Sequence, residues 1–146
     1  MRQIAELIEN QTLLVIDPEL SVRNAAERMA ERNIGAVAVV DAGRLAGVFS
    51  ERDIMSRVVA CGLNPENTRV GLVMSKDLLV ADPHDNLDSA LQKMHSIHAR
   101  HLPVVSDGKL VGMISIRDLL ECDDADQRSK ARFLNELVTY SPDYET

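Results

Sequence analysis

The chain has 146 residues, 45% of them apolar and only 3% aromatic, with no Trp and a net charge of −7. That is about one domain's length with an aliphatic core, and the acidic balance argues against nucleic acid as a main partner, since phosphate neutralisation needs a basic face. No apolar run is long enough to cross a bilayer and no signal-like run opens the sequence, so a soluble, cytoplasmic protein with no membrane partner is expected.

In chain order, Ile4–Glu9 reads as one or two amphipathic helical turns. Leu13–Ile16 is a short extended run closed by Asp17-Pro18, where proline drives its predecessor out of the helical region. Ser21 then stands as an N-cap, and Val22, Ala25, Ala26, Met29 and Ala30 form the stripe of a core-facing helix. Ala36–Val40 and Leu45–Phe49 read as a hairpin across Asp41-Ala42-Gly43-Arg44, with strands apolar enough for burial on both faces. A second helix starts at Ser50 and runs to Cys61-Gly62.

After the linker 62–68 the same grammar returns. Val70–Met74 is a short helical turn, and Leu78–Ala81 an extended run closed by Asp82-Pro83. Asn86 caps a helix with Leu87, Ala90, Leu91 and Met94 on one face. His101–Val105 and Leu110–Ile114 form a hairpin across Ser106-Asp107-Gly108-Lys109, and Ser115 opens a last helix. An acidic stretch and an amphipathic tail helix, about 127–139, carry Phe133, Leu134, Leu137 and Val138.

The second half repeats the first. Shifted by 65 positions without a gap, residues 4–55 align with 69–120, and sixteen positions are identical, among them Asp17, Pro18, Gly43, Gly47, Ser50, Arg52 and Asp53. Gly47-Val48-Phe49-Ser50-Glu51-Arg52-Asp53 recurs as Gly112-Met113-Ile114-Ser115-Ile116-Arg117-Asp118. Ser-x-x-Asp ahead of a helix is also a capping box. A cap does not need the arginine, which recurs as well.

These units, with Arg100-His101-Leu102-Pro103-Val104-Val105, Gly108, Leu110, Gly112 and Ser115-x-x-Asp118 in the second, resemble the CBS-domain family (cystathionine-β-synthase-type repeats). The first unit departs from the family in having Ala38 where proline is common. The resemblance implies an α+β fold: a tandem pair of β-α-β-β-α repeats (a Bateman module) with pseudo-twofold symmetry. The expected bounds are 3–67 and 68–122, with 123–146 as a C-terminal stretch and helix. It further implies two clefts between the repeats, each taking an adenosine derivative (AMP, ADP, ATP, NAD or S-adenosylmethionine), a homodimer, and a sensing role that is not enzymatic.

An adenosine site needs an apolar slot for the base, a carboxylate to accept both ribose hydroxyls, and cations with backbone N–H groups for phosphate. For the first site the candidates are Thr12, Leu13, Ala36, Val37, Ala38, Ser50, Arg52 and Asp53. For the second they are Asp77, Leu78, Arg100, His101, Leu102, Pro103, Ser115, Arg117 and Asp118. Asp53 and Asp118 are the ribose candidates, and the serine hydroxyls are expected to be free for ligand. Where the second unit has Arg100 and His101 the first has only the small Gly35 and Ala36, so unequal sites are expected, the second being the stronger.

His95, His98 and His101 are spaced by three, but nothing nearby completes a ligand set, so no metal is expected. Cys61 and Cys122 lie outside any Cys-x-x-Cys spacing and read as free thiols. No nucleophile–base or phosphate-loop motif supports catalysis. Occupancy would instead bias the relative angle of the repeats and be read by a protein partner. The alternative is a structural homodimerisation module with one or both clefts not binding.

Overall fold

The computed structural model describes residues 3–121. The expected tail helix and Cys122 lie outside these residues. The elements are α1 (Ile4–Ile8), β1 (Val15–Ile16), α2 (Val22–Arg32), β2 (Ala36–Asp41), β3 (Arg44–Ser50), α3 (Glu51–Asp53), a π-helical continuation (Ile54–Val59), α4 (Val70–Val73), α5 (Leu87–Ile97), β4 (His101–Ser106), β5 (Lys109–Ser115) and α6 (Ile116–Leu120). This is the α+β, twice-repeated arrangement expected.

The long helices form where caps and periodicity put them. Ser21 Oγ accepts from the Asn24 N–H, and Asn86 Oδ1 accepts from the Ser89 N–H. Both helices end on a left-handed residue, Asn33 (φ 53°) and His98 (φ 54°). In α5 the whole expected stripe is buried; in α2 Val22, Ala25 and Met29 are, while Ala26 is half-buried and Ala30 exposed. The stripe of α2 is narrower than its spacing suggested.

The hairpins are tighter than four-residue connections. Only Ala42 and Gly43 turn the first, with φ of 51° and 80°, and only Asp107 and Gly108 turn the second, with φ of 52° and 77°. Two successive positive φ values mark the type I′ turn that matches strand twist. The extended runs are shorter than expected. β1 pairs in parallel with β2 through Val15↔Ala38 and Ile16↔Val39, whereas the second run contributes a single parallel bridge, Ala81↔Val104. Each run ends at its Asp-Pro step, because proline brings no N–H to continue a ladder.

The contact pattern divides the described chain into two compact units. One holds 12–78 and 108–110; the other holds 3–11, 79–107 and 111–121. We call them the first-repeat and second-repeat units. The short helices are therefore exchanged. Ile4 of α1 is buried with Leu87, Leu91, Met94, Leu102, Ile114 and Leu119, while Val70 and Val73 of α4 are buried with Val22, Met29, Val37, Phe49 and Val58. A four- or five-residue helix cannot hold itself together, so burial of one apolar side is what stabilises it.

The exchange also corrects the ungapped alignment. Ile4 N–H donates to Asp85 O and Ala5 N–H to Pro83 O; Val70 N–H donates to Leu20 O and Gly71 N–H to Pro18 O. The helices thus correspond one residue further apart than the strands that follow them. The identity of Leu7 with Leu72 is coincidental: Leu7 packs against its core, and Leu72 is 78% exposed.

Candidate functional site

In the first-repeat unit, β2 and β3 run antiparallel with Ala36 opposite Ser50, Val37 opposite Phe49 and Ala38 opposite Val48. This brings the start of β2 to the point where β3 becomes α3. The Glu51 N–H donates to Gly35 O at 2.9 Å. Ala36, Val37 and Ala38 are buried, Thr12 is exposed and Leu13 is half-buried.

Ser50 and Asp53 form a reciprocal cap. The Asp53 N–H donates to Ser50 Oγ at 3.2 Å, and the Ser50 N–H donates to Asp53 Oδ2 at 2.9 Å. Ser50 Oγ also donates to Asp53 Oδ2 at 3.1 Å. The hydroxyl is therefore engaged, contrary to the expectation that it stands free. The second carboxylate oxygen is engaged too. Ser75 Oγ donates to Asp53 Oδ1 at 3.1 Å, and Arg57 Nε lies 3.7 Å from it. Asp53 is only 5% exposed. A carboxylate so deep is stable only when its lone pairs are filled, and here they are.

Ser75 and Arg57 belong to the docking of α4. The Val48 N–H donates to Ser75 O and the Ser75 N–H to Val48 O, at 3.0 and 2.9 Å. Arg57 Nη1 donates to Met74 O at 3.0 Å. A Cβ on Gly47 would lie 2.7 Å from Met74 Sδ and 2.8 Å from Ser75 O, so this glycine is explained by close approach of the exchanged segment. The π-helical segment, seen in the Ala60 N–H to Met55 O bond, follows directly. Ser56 Oγ donates to Arg52 O at 2.8 Å, a side-chain intrusion of the kind that lets a helical ladder slip.

In the second-repeat unit the junction is built alike but ends differently. The Ile116 N–H donates to Arg100 O at 2.8 Å, so the start of β4 meets the start of α6. The Asp118 N–H donates to Ser115 Oγ at 3.1 Å and the Ser115 N–H to Asp118 Oδ2 at 2.9 Å. Among the described residues Asp118 Oδ1 accepts no hydrogen bond, and Asp118 is half-buried. The strand edge that Ser75 occupies in the other unit is met here by a side chain. Gln11 Nε2 donates to Met113 O at 2.6 Å and Gln11 Oε1 accepts from the Met113 N–H at 2.9 Å. That side-chain amide imitates a strand bridge and leaves the carboxylate alone. Gly112 again makes room, for Ile8, whose Cγ2 would lie 2.7 Å from an added Cβ.

Charge also separates the junctions. Arg100 and Arg117 are exposed and His101 half-buried, over buried Leu102 and Pro103. In the first-repeat unit Gly35 stands in the place of Arg100, and the Glu51 carboxylate lies against it, 3.1 Å from where a Cβ would be. An acidic group thus occupies the position that is basic in the other unit. Asp77 (exposed) and Leu78 (half-buried), the remaining candidates of the second set, belong to the first-repeat unit. His95 and His98 have ring centroids 6.3 Å apart, and no cluster of three or more His, Cys, Asp or Glu among the described residues is placed to hold a metal. No helix among the described residues is long and apolar enough to cross a membrane.

Comparison with known proteins places these features. The family model for the CBS domain matches residues 4–60 and 70–124. The mitochondrial CBS domain-containing protein CBSX3 of Arabidopsis thaliana is 31% identical over 123 residues, 81% of this chain. The chain spans only 60% of that relative's length. The CBS domain-containing protein YhcV of Bacillus subtilis is 36% identical over 104 residues, 71% of this chain and 74% of its own length. A solved protein with CBS domains from Burkholderia ambifaria is 34% identical and superposes with a TM-score of 0.79, covering 86% of this chain and 96% of that one.

Proposed function

The chain belongs to the CBS-domain family, and from that premise we propose that it is a regulatory module that binds an adenosine-containing nucleotide and passes its occupancy to a partner protein. The candidate ligands are AMP, ADP, ATP and NAD, with the protein acting as a homodimer and not as an enzyme. The observation that carries this reading is the half-satisfied Asp118. Its Oδ2 is held by the Ser115 N–H, while Oδ1 accepts no hydrogen bond among the described residues. A carboxylate held rigid by one oxygen and offering the other suits a ribose hydroxyl. Arg100 and Arg117 supply cations and His101 an imidazole for phosphate at the same junction, and Pro103 supplies an apolar wall for a base, while Leu102 is fully buried in the core beneath. The saturated Asp53 favours the second reading, a structural module, for the first-repeat junction alone.

Thermal shift and calorimetry with AMP, ADP, ATP, NAD and S-adenosylmethionine test the reading. Saturable binding of at least one is expected. No binding by any of the five sinks the nucleotide reading, and turnover of a bound nucleotide sinks the regulatory one. Light scattering tests the dimer separately.

A further inference from the structure

Asp53 carries four polar contacts on one carboxylate: two from Ser50, one from Ser75 and the Arg57 guanidinium. Two of these four come from outside the motif. The Ser75 backbone is fixed at this place, because its own N–H and C=O are both bonded to Val48, which keeps the hydroxyl beside the carboxylate. Arg57 is likewise tied to the end of α4 through Val73 O and Met74 O. We propose that Asp53 is a latch that holds the exchanged α4 segment on its junction, and that this latch has to open before the junction can accept a ligand. This rests on the nucleotide reading above and adds a regulation to it: the resting chain binds through Asp118, and the Asp53 junction is a closed second site.

The chemistry of opening balances as an exchange. A ribose O–H would replace the Ser75 O–H on Oδ1, so hydrogen-bond number is kept at the carboxylate. What is lost is the tie from the carboxylate to Ser75 and Arg57, the side chains that fasten α4 to the junction. A ligand at Asp53 therefore competes with the side-chain ties that hold α4, a helix whose Val70 and Val73 sit in the core. Glu51 against Gly35, where the other junction has Arg100, offsets the Arg52 charge, so a polyphosphate gains less there than at the Asp118 junction and a neutral or cationic adenosine derivative is relatively favoured.

The test uses Arg57→Gln with Ser75→Ala, and Ser75→Ala alone as a milder form. Both side chains are removed from the latch, while Asp53 keeps its Ser50 cap. Hydrogen exchange at the Val48 and Ser75 amides, which need no ligand, is expected to speed up about tenfold or more in the double variant. Calorimetry with AMP and with S-adenosylmethionine is expected to show one binding event per chain in the wild type. The double variant should show a second, with S-adenosylmethionine favoured over AMP in it. Adding Asp53→Ala to the double variant should abolish that second event. Unchanged exchange overturns the latch. Two events in the wild type, or none gained in the double variant with exchange raised, overturn its control of binding. No binding by any form, with exchange raised, overturns the nucleotide reading and leaves α4 docking as the only role of Asp53.

Discussion

The two junctions share the letters Ser-x-Arg-Asp and differ in what meets them. At Asp53 the exchanged segment arrives as backbone, bridges Val48 and brings a serine hydroxyl to the free carboxylate oxygen. At Asp118 it arrives as the Gln11 amide, bridges Met113 and stops there. One carboxylate becomes a structural hub and the other keeps a lone pair in reserve. A repeated motif thus conserves the cap, and the ligand role depends on residues that do not repeat.

Substitutions can break or sharpen that contrast. The largest effect is expected from the exchanged helices themselves. Ile4→Ala removes a fully buried side chain and should cost about 3–4 kcal/mol, and Val70→Ala about 2 kcal/mol, in urea denaturation. Near-zero effects would mean that the short helices are not part of the two cores. Next come the motif glycines. Gly47→Ala sets a Cβ against the Ser75 carbonyl, whereas Gly112→Ala meets only the Ile8 side chain. Losses of about 2–3 and about 1–2 kcal/mol are expected, in that order. The reverse order would contradict backbone docking at the first-repeat junction.

Cap removal is smaller. Asp118→Ala should cost about 1 kcal/mol, the usual worth of a capping interaction, and Asp53→Ala more, because Ser75 and Arg57 also lose their acceptor. Equal losses would deny Asp53 its wider role. The smallest effect lies at Asp85, in the loop that holds α1. Burial raises its carboxyl pKa, but the Asp82 N–H and the Lys93 ammonium outweigh this and hold it below the ordinary 3.8. A lowered folded pKa gives stability that is present in full above 3.8 and lost as pH falls below it. The pair is partly exposed, so Lys93→Ala should cost about 0.5 kcal/mol more at pH 7 than at pH 2, where only the Lys93 bond to Val80 O remains. An equal loss at both pH values would show that Lys93 acts without the Asp85 charge.

Much of this was legible in the sequence because it repeats. The Asp-Pro stops, the caps at Ser21 and Asn86, the hairpins and the two Ser-x-x-Asp junctions all stand at matching places. What was not legible lies outside the register. Ser75 and Arg57 have no counterpart that an internal alignment would flag, and Cys122 stands where Arg57 would repeat. The exchange of α1 and α4 was hidden because a five-residue amphipathic turn fits either core equally well. The matched Leu7 and Leu72 misled for the same reason: at four or five residues, one shared leucine carries no register. The charge at Glu51 was not legible, because its approach to Gly35 is a contact across the strand-to-helix turn that sequence spacing does not show.

Titration of AMP into wild-type protein and into Asp118→Ala by calorimetry tests the central claim most directly. The account predicts saturable binding by the wild type and a loss of at least about tenfold in affinity in Asp118→Ala, the worth of a charged hydrogen bond. Unchanged affinity in Asp118→Ala would contradict it.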